Sequence, residues 1–278
     1  MNPAANEMLR HPGTLRAASG IGALIVLLAW ESCAPFFVFS GGTSRTRHGL
    51  RNITLGIVNA LLVAVIFVVI WYGVSDWAEQ KHFGILNWLK LPRGLHLAGA
   101  LLPLDCWMYW WHRLNHRVAF FWRFHRTHHS DPRMDVTTAN RFHFGEIFFS
   151  SLLRIPLILI LGLHFSELVL YETAMFLVVQ LHHANIGLPE KLDRFLRALI
   201  VTPHIHKVHH SRLNVETDSN YSSLFSFWDR LFRTLRLRGD PHSIHFGLDE
   251  FDGPEQQTLS GLFKTPLSGK KAVQKNNK

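Results

Sequence analysis

Residues 53–73 read ITLGIVNALLVAVIFVVIWYG, an unbroken apolar stretch with no charged side chain. Wound as an α-helix at 1.5 Å per residue it is about 31 Å long, which matches the hydrocarbon core of a bilayer. Residues 20–39 form a second run of similar length and character. A soluble core spreads its apolar residues along the chain, whereas here they are concentrated in blocks, so both stretches read as membrane spans. Leu95 to Trp111 is shorter and closes on Trp107-Met-Tyr-Trp-Trp111, an aromatic belt of the kind found where a span leaves the bilayer. Residues 147–181 are mostly apolar but broken by Arg154, Pro156, Gly162 and His164. They read as a helical hairpin that crosses twice, or as a re-entrant pair.

The expected fold is all-α: a polytopic membrane helix bundle of four to five spans with a helical cap holding a histidine-rich di-metal site. Residues 1–111 carry the N-terminal spans, and residues 112–253 hold the histidine groups and the hairpin at about 147–181. Residues 254–278 read as a disordered basic tail. Five crossings put every histidine group on one face. Arg45, Arg47 and Arg51 between the first two spans, and Arg113, Arg117, Arg123, Arg126 and Arg133 among the histidines, make that face cytoplasmic. The net charge of +9 then meets anionic headgroups, and nucleic acid is not the expected partner. The first apolar run is too long for a signal-peptide core and reads as a retained span. Cys33 and Cys106 each fall in a predicted span and imply no disulfide framework.

Thirteen of the 19 histidines lie between His112 and His210, in groups. His125-Arg-Thr-His128-His129 places imidazoles at i, i+3 and i+4, and His206-Lys-Val-His209-His210 repeats that spacing. Helical residues three or four apart project from one face about 5–6 Å apart, so each group can grip a metal from one side. His112 and His116 add an i, i+4 pair, and His182 and His183 an adjacent one. The inventory is enough for two ions. A zinc site takes three or four ligands and accepts cysteine, whereas both cysteines lie outside the groups. Two redox-active ions suit the set better, although imidazole binds iron, copper and zinc alike.

The remaining histidines carry less. His11, His48, His82, His96, His242 and His245 have no partners at ligand spacing and read as surface or interfacial side chains. His164, with Glu167 and Glu172 nearby, is divided between an intramembrane site and a solvated hairpin turn. His143, three residues before Glu146, is divided between a site role and helix capping or packing.

Three motifs in order, DCWMYWWHRLNH (105–116), FHRTHHS (124–130) and TPHIHKVHHS (202–211), strongly resemble the fatty acid hydroxylase and sterol desaturase superfamily. Further matching stretches are DVTTANRFH (135–143), QLHHAN (180–185), ETDSNY (216–221) and WDRLF (228–232), so the resemblance runs from about Asp105 to Phe232. It implies an integral membrane, non-haem di-iron oxidase that uses O2 to hydroxylate or desaturate a lipid, with its histidines on the cytoplasmic side. By that pattern His112, His116, His125, His128, His129, His206, His209 and His210 carry over as ligand positions. One or both of His182 and His183 complete the set, while His204 falls where the family pattern is not histidine. Asp105, Asp131, Asp135, His143, Glu146, Asn185 and Asp218 are candidates to hold the ligand imidazoles in place. The chain shows no Gly-rich dinucleotide fingerprint, no CxxCH haem motif and no cysteine set for an iron–sulfur cluster. Electrons must therefore come from outside, from a separate reductase or a small reductant.

Two rival readings use the same residues. One is a histidine-rich membrane metal transporter or sensor without oxidase activity, and the other a family member that has lost catalysis and serves as a binding scaffold. Transporters place their ligands near the bilayer midplane, inside the spans. Here nearly all the histidines lie outside the apolar blocks, and no ligand group is eroded, which favours catalysis.

Overall fold

A computed structural model describes residues 12–39 and 44–269; His11 and residues 270–278 of the expected tail lie outside the described residues. Helix α1 (Pro12–Cys33) starts earlier than the first apolar run and ends before its predicted limit. The stop is local: Pro35 disfavours helical geometry at Ala34, and the next residues turn back onto the protein. Phe36 N–H donates to the Asn185 carbonyl at 2.9 Å, and Asn185 brackets Phe37 through its side chain at 2.8 and 2.9 Å.

Helices α2 (Arg45–Leu62) and α3 (Val68–Gln80) form one long rod joined by a π-turn at Val63–Phe67. Ile57, Leu61, Val65 and Val69 recur every fourth residue and are all more than half exposed, a stripe suited to lipid. The opposite side buries Leu55, Phe67 and Trp71, with Asn52, Asn59 and Ser75 among them. A short helix α4 (Ile85–Leu89) leads into α5 (Arg93–Arg117). Three segments are long and apolar enough to cross a membrane: 13–33, the run 45–89, and 144–161.

The predicted hairpin is present as α7 (Phe144–Leu161) and α8 (Phe165–His183). Helices α5 and α8 bury polar side chains, and several of these tie the helices together. Asp105 on α5 accepts from the Tyr171 hydroxyl at 2.8 Å, the Trp228 indole at 2.8 Å and the Phe225 N–H at 3.0 Å. Arg154 of α7 meets Glu172 of α8 at 2.9 Å and lies over the Trp71 ring.

A group of shorter helices accompanies these. It contains α6 (Ala119–His129), α9 (Glu190–Leu196), α10 (Pro203–His209), α11 (Asn214–Thr217) and α12 (Phe227–Leu231). The expected disordered tail is corrected for residues 254–269, which fold against α6 and include α13 (Leu259–Lys264). Guanidinium groups need oxygen partners, and this segment supplies them. Arg126 donates to the Ser268 carbonyl at 2.8 Å, Arg123 to Pro266 at 3.1 Å, and Arg141 to the Gln257 side chain at 2.7 Å. That pattern of single long-range bonds leaves no periodic apolar signal in the sequence.

The turn after α3 and the turn between α7 and α8 touch backbone to backbone. A Cβ on Gly84, which sits at φ 104°, would lie 2.4 Å from the Gly162 Cα. Gly84→Ala combines a left-handed backbone with this clash, and is expected to destabilise the protein by about 1–3 kcal/mol. Thermal unfolding in detergent checks it; an unchanged midpoint contradicts the close approach.

Candidate metal centre

The last two turns of α5 carry His112 and His116, and the chain reverses at the extended residue Val118 into α6. Helix α6 then presents His125, His128 and His129; α8 ends on His182 and His183; α10 carries His206 and His209, with His210 as its cap. Nine of these ten imidazoles sort into two nests within which the ligand atoms lie within 4.8 Å of one another. The first contains His112, His116, His125, His129 and His209, and the second His128, His183, His206 and His210. All nine are 9 % exposed or less.

Helical spacing explains the sorting. Residues i and i+4 share a face and i+3 stands beside it. In α6, His125 and His129 face the first nest and His128 the second; in α10, His206 and His210 face the second and His209 the first. The two triads thus contribute to both nests with opposite weights.

Within the nests, ring nitrogens face one another. The Nε2 atoms of His125 and His129 are 3.2 Å apart. Those of His128 and His183, His183 and His206, and His206 and His210 are 3.1, 3.1 and 3.2 Å apart. Two nitrogens that bind one ion at about 2.1 Å stand about 3.0–3.4 Å apart, so this is the spacing of a coordination shell. Nε2 of His112, His116 and His209 is buried without any hydrogen-bond partner. Bare, converging acceptors are the donor set a divalent transition ion satisfies.

The far side of several rings is held. Nδ1–H of His112 donates to the Tyr221 carbonyl at 2.8 Å, that of His209 to Ser219 at 2.6 Å, and that of His183 to Val179 at 2.7 Å. Nδ1 of His125 meets the Glu146 carboxylate at 2.9 Å. Each bond fixes the tautomer that turns the Nε2 lone pair inward. Phe142 lies flat on His128 at 4.2 Å, and Trp122 leans on His116 at 5.1 Å.

Burial, and after it the neighbouring imidazoles, push His128, His129, His206 and His210 well below the usual histidine range. Burial pushes His209 down to about 3. Neutral imidazole is the metal-binding form. Burial alone would raise Asp131, but His48 and Arg141 beside it hold its carboxyl well below the usual range.

The other expected site residues divide. Glu146 holds a nest imidazole, as above, and Asp218 approaches His116 Nδ1 only to 3.7 Å. Asp105 touches no nest histidine; it ties α5 to α8 and to the loop before α12. His143 caps α7, accepting from the Gly145 N–H at 3.0 Å, because a side-chain acceptor there satisfies an otherwise free helix amide. Asn185 braces the turn after α1. Asp135 caps the 3-10 turn Val136–Asn140, and Asp131 bonds His48 at 2.8 Å. His182 joins neither nest: its ring stacks on His206 at 3.8 Å. His48 and His96, expected at the surface, are buried against Asp131 and Glu167. The backbone carbonyls of Val179, Ser219 and Tyr221 were not foreseeable, since a carbonyl has no residue signature. Buried Lys207, driven down to about 7 by desolvation, points away from the nests and donates to the carbonyls of Ala184 and Ile186.

The profile of the fatty acid hydroxylase family matches residues 97–234, a stretch that contains every histidine of both nests. The chain belongs to this family. It is 30 % identical to an ornithine lipid hydroxylase of Rhizobium tropici over 171 residues, covering 61 % of this chain and 49 % of that protein. It is 30 % identical over 154 residues to the human alkylglycerol monooxygenase, covering 54 % and 32 %. A cholesterol 25-hydroxylase-like protein of Danio rerio is 30 % identical over 171 residues, covering 60 % and 63 %. The chain thus spans less than two thirds of the length of these relatives. No solved structure matches it.

Two outcomes follow for this hydroxylase-family site. Glu146→Ala frees His125 to rotate, and is expected to weaken metal binding by about 10–100-fold in competition with a chelator; unchanged affinity contradicts the brace. The second concerns pH. Unfolded, the nest histidines take up protons as pH falls through about 6.5; folded, His209 resists until about 3. The unfolded state therefore binds more protons in that window, and the chelator-stripped protein loses stability as pH falls from about 6.5 towards 3. A midpoint of thermal unfolding that stays flat across the window contradicts this.

Proposed function

We propose that this chain is an integral membrane, di-iron, O2-dependent hydroxylase of a lipid C–H bond. The observation that supports it most is the pair of buried imidazole nests with converging ring nitrogens, in a chain whose family includes relatives named as lipid hydroxylases and monooxygenases. His112, His116, His125, His129 and His209 hold one ion, and His128, His183, His206 and His210 the other. His182 steadies His206 by stacking and is not a ligand.

Two iron ions held here would supply, with dioxygen and two electrons, an oxidant able to take hydrogen from an unactivated C–H bond. The balance is R–H + O2 + 2 electrons + 2 protons giving R–OH + H2O. A separate reductase or small reductant delivers the electrons, because the chain carries no redox motif of its own. Glu146 and the carbonyls of Val179, Ser219 and Tyr221 keep the imidazoles aimed inward. Phe142 and Trp122 shield them from water.

Five crossings, by α1, the α2–α3 rod, α5, α7 and α8, bring the C-terminal ends of α5 and α8 to one face with the nests. The arginines among the histidine motifs favour the cytoplasm for that face. The substrate arrives from the bilayer, which the exposed apolar stripes of α1 and α2 fit. Hydroxylation is favoured over desaturation by the names of the relatives.

Untargeted lipid mass spectrometry on cells expressing the intact protein, against cells expressing His128→Ala at equal abundance, tests the reading. The host supplies sterols, aminolipids, ether lipids and a reductase. A lipid that gains one oxygen atom only with the intact protein is expected. Loss of two hydrogens would replace hydroxylation by desaturation, and no histidine-dependent difference overturns the proposal.

A further inference from the structure

Helices α9 and α12 carry exposed apolar side chains next to exposed cations. Leu192 and Phe195 of α9, Leu199 in the turn after it and Leu231 of α12 are all exposed, Phe195 by 77 % and Leu231 by 63 %. The two helices lie side by side, because Arg230 donates to the Arg197 carbonyl at 2.6 Å and the Ser226 N–H donates to the Leu199 carbonyl at 3.0 Å. Lys191, Arg194, Arg230 and Arg233 are exposed among these apolar side chains. Among the described residues of 190–199 and 227–236, Glu190 is the one exposed acid.

The depth of this face is set by α5. Asp105 holds the Phe225 N–H and the Trp228 indole, and it stands seven residues before His112. At 1.5 Å per residue the attachment lies about 10 Å down the helix from the nests. Close to that level Arg154, near the middle of the apolar segment 144–161, reaches the Met108 sulfur at 3.5 Å. Helix α12 therefore stands beside the apolar segments and not past their ends. Trp110 of α5, itself exposed, packs on Phe232 at 5.0 Å, so apolar surface runs on from α5 to α12.

Single exposed leucines are ordinary on any surface, but a patch mixed with cations at membrane depth is not. We propose that α9 and α12 form a foot lying in the membrane interface, whose partner is the headgroup layer of an anionic leaflet. Phe195 and the leucines enter the upper acyl chains, and the cations reach lipid phosphates, since long basic side chains keep their charge in water while their stems lie in apolar surroundings. A second copy of the chain fits less well, because a two-fold contact through this face sets its cations against one another. Asp229 of α12 also accepts the N–H groups of Tyr221 and Ser222. The helix that meets lipid thus carries the loop whose carbonyls hold His112 and His209. The foot rests on the membrane reading proposed above.

The full chain in phosphatidylcholine nanodiscs tests this with trace photoactivatable lipids that carry a diazirine near the top of the acyl chain, on either a phosphatidylglycerol or a phosphatidylcholine headgroup. Peptide mass spectrometry then locates the label. The expected result is label on residues 190–199 and 227–233 as well as on the exposed stripe of 57–69, with the first two segments taking at least several-fold more of the phosphatidylglycerol probe. Label on 57–69 alone overturns the foot and leaves the membrane reading standing, and label on none of the three overturns both. Equal labelling by the two probes overturns the anionic partner. A variant with Lys191→Gln, Arg194→Gln and Arg233→Gln changes only exposed side chains. It is expected to bring the two probes to parity at the foot while the label on 57–69 stays as before, and a preference that survives overturns the role of these cations.

Discussion

Nine buried imidazoles with their ring nitrogens facing one another constrain everything around them. A buried acceptor with no donor costs about 1–3 kcal/mol, and several lie together here. An ion held between the rings would give those nitrogens their missing partner. The scaffold must therefore hold each ring at its angle, and apolar packing alone, which has no direction, does not aim a nitrogen. Directed polar bonds carry that task.

Two knots of buried polar side chains supply them. The first joins α6 to α2: Asp131 takes His48 and the Thr138 hydroxyl, while Arg141 bonds the Thr127 carbonyl, Asn52, Ser130 and Gln257. It fixes the end of the helix that carries His125, His128 and His129. The second fixes residues 219–222. Asp229 accepts the N–H groups of Tyr221 and Ser222, and Asn220 bonds Ile205 and Arg236 while sitting at φ 54°, a left-handed conformation asparagine tolerates. That loop is the one whose carbonyls hold His112 and His209. The knots lie one step behind the rings and decide where the lone pairs point.

The sequence made some of this legible and hid the rest for a physical reason. Helical spacing is local, so the His125–His129 and His206–His210 triads and the hairpin around Gly162 could be read directly. Glu146 could be singled out because it follows the motif closely. Asp105, His143 and Asn185 were chosen as neighbours in sequence, yet their partners are Tyr171, Gly145 and Phe37. His48 and His96 read as surface residues because Asp131 and Glu167 lie more than seventy residues away. Residues 254–269 read as a tail because bonds to Arg123, Arg126 and Arg141 and isolated buried side chains such as Leu262, not a periodic apolar face, hold them down. Local periodicity predicts elements; it is silent on which distant acceptor a buried donor will find.

The opposite weighting of the two triads has a mechanical consequence. Helix α6 gives two imidazoles to the first nest and one to the second, and α10 does the reverse. Neither helix belongs to one nest, so a shift of α6 that opens the first must also move His128 in the second. The ring of His129 stacks on His210 at 4.5 Å across the boundary, which couples the two further. A pair of nests built this way shifts as a unit. Such coupling suits chemistry that needs both positions filled at once, and it arises from nothing more than the i, i+3, i+4 spacing being used twice in opposite senses.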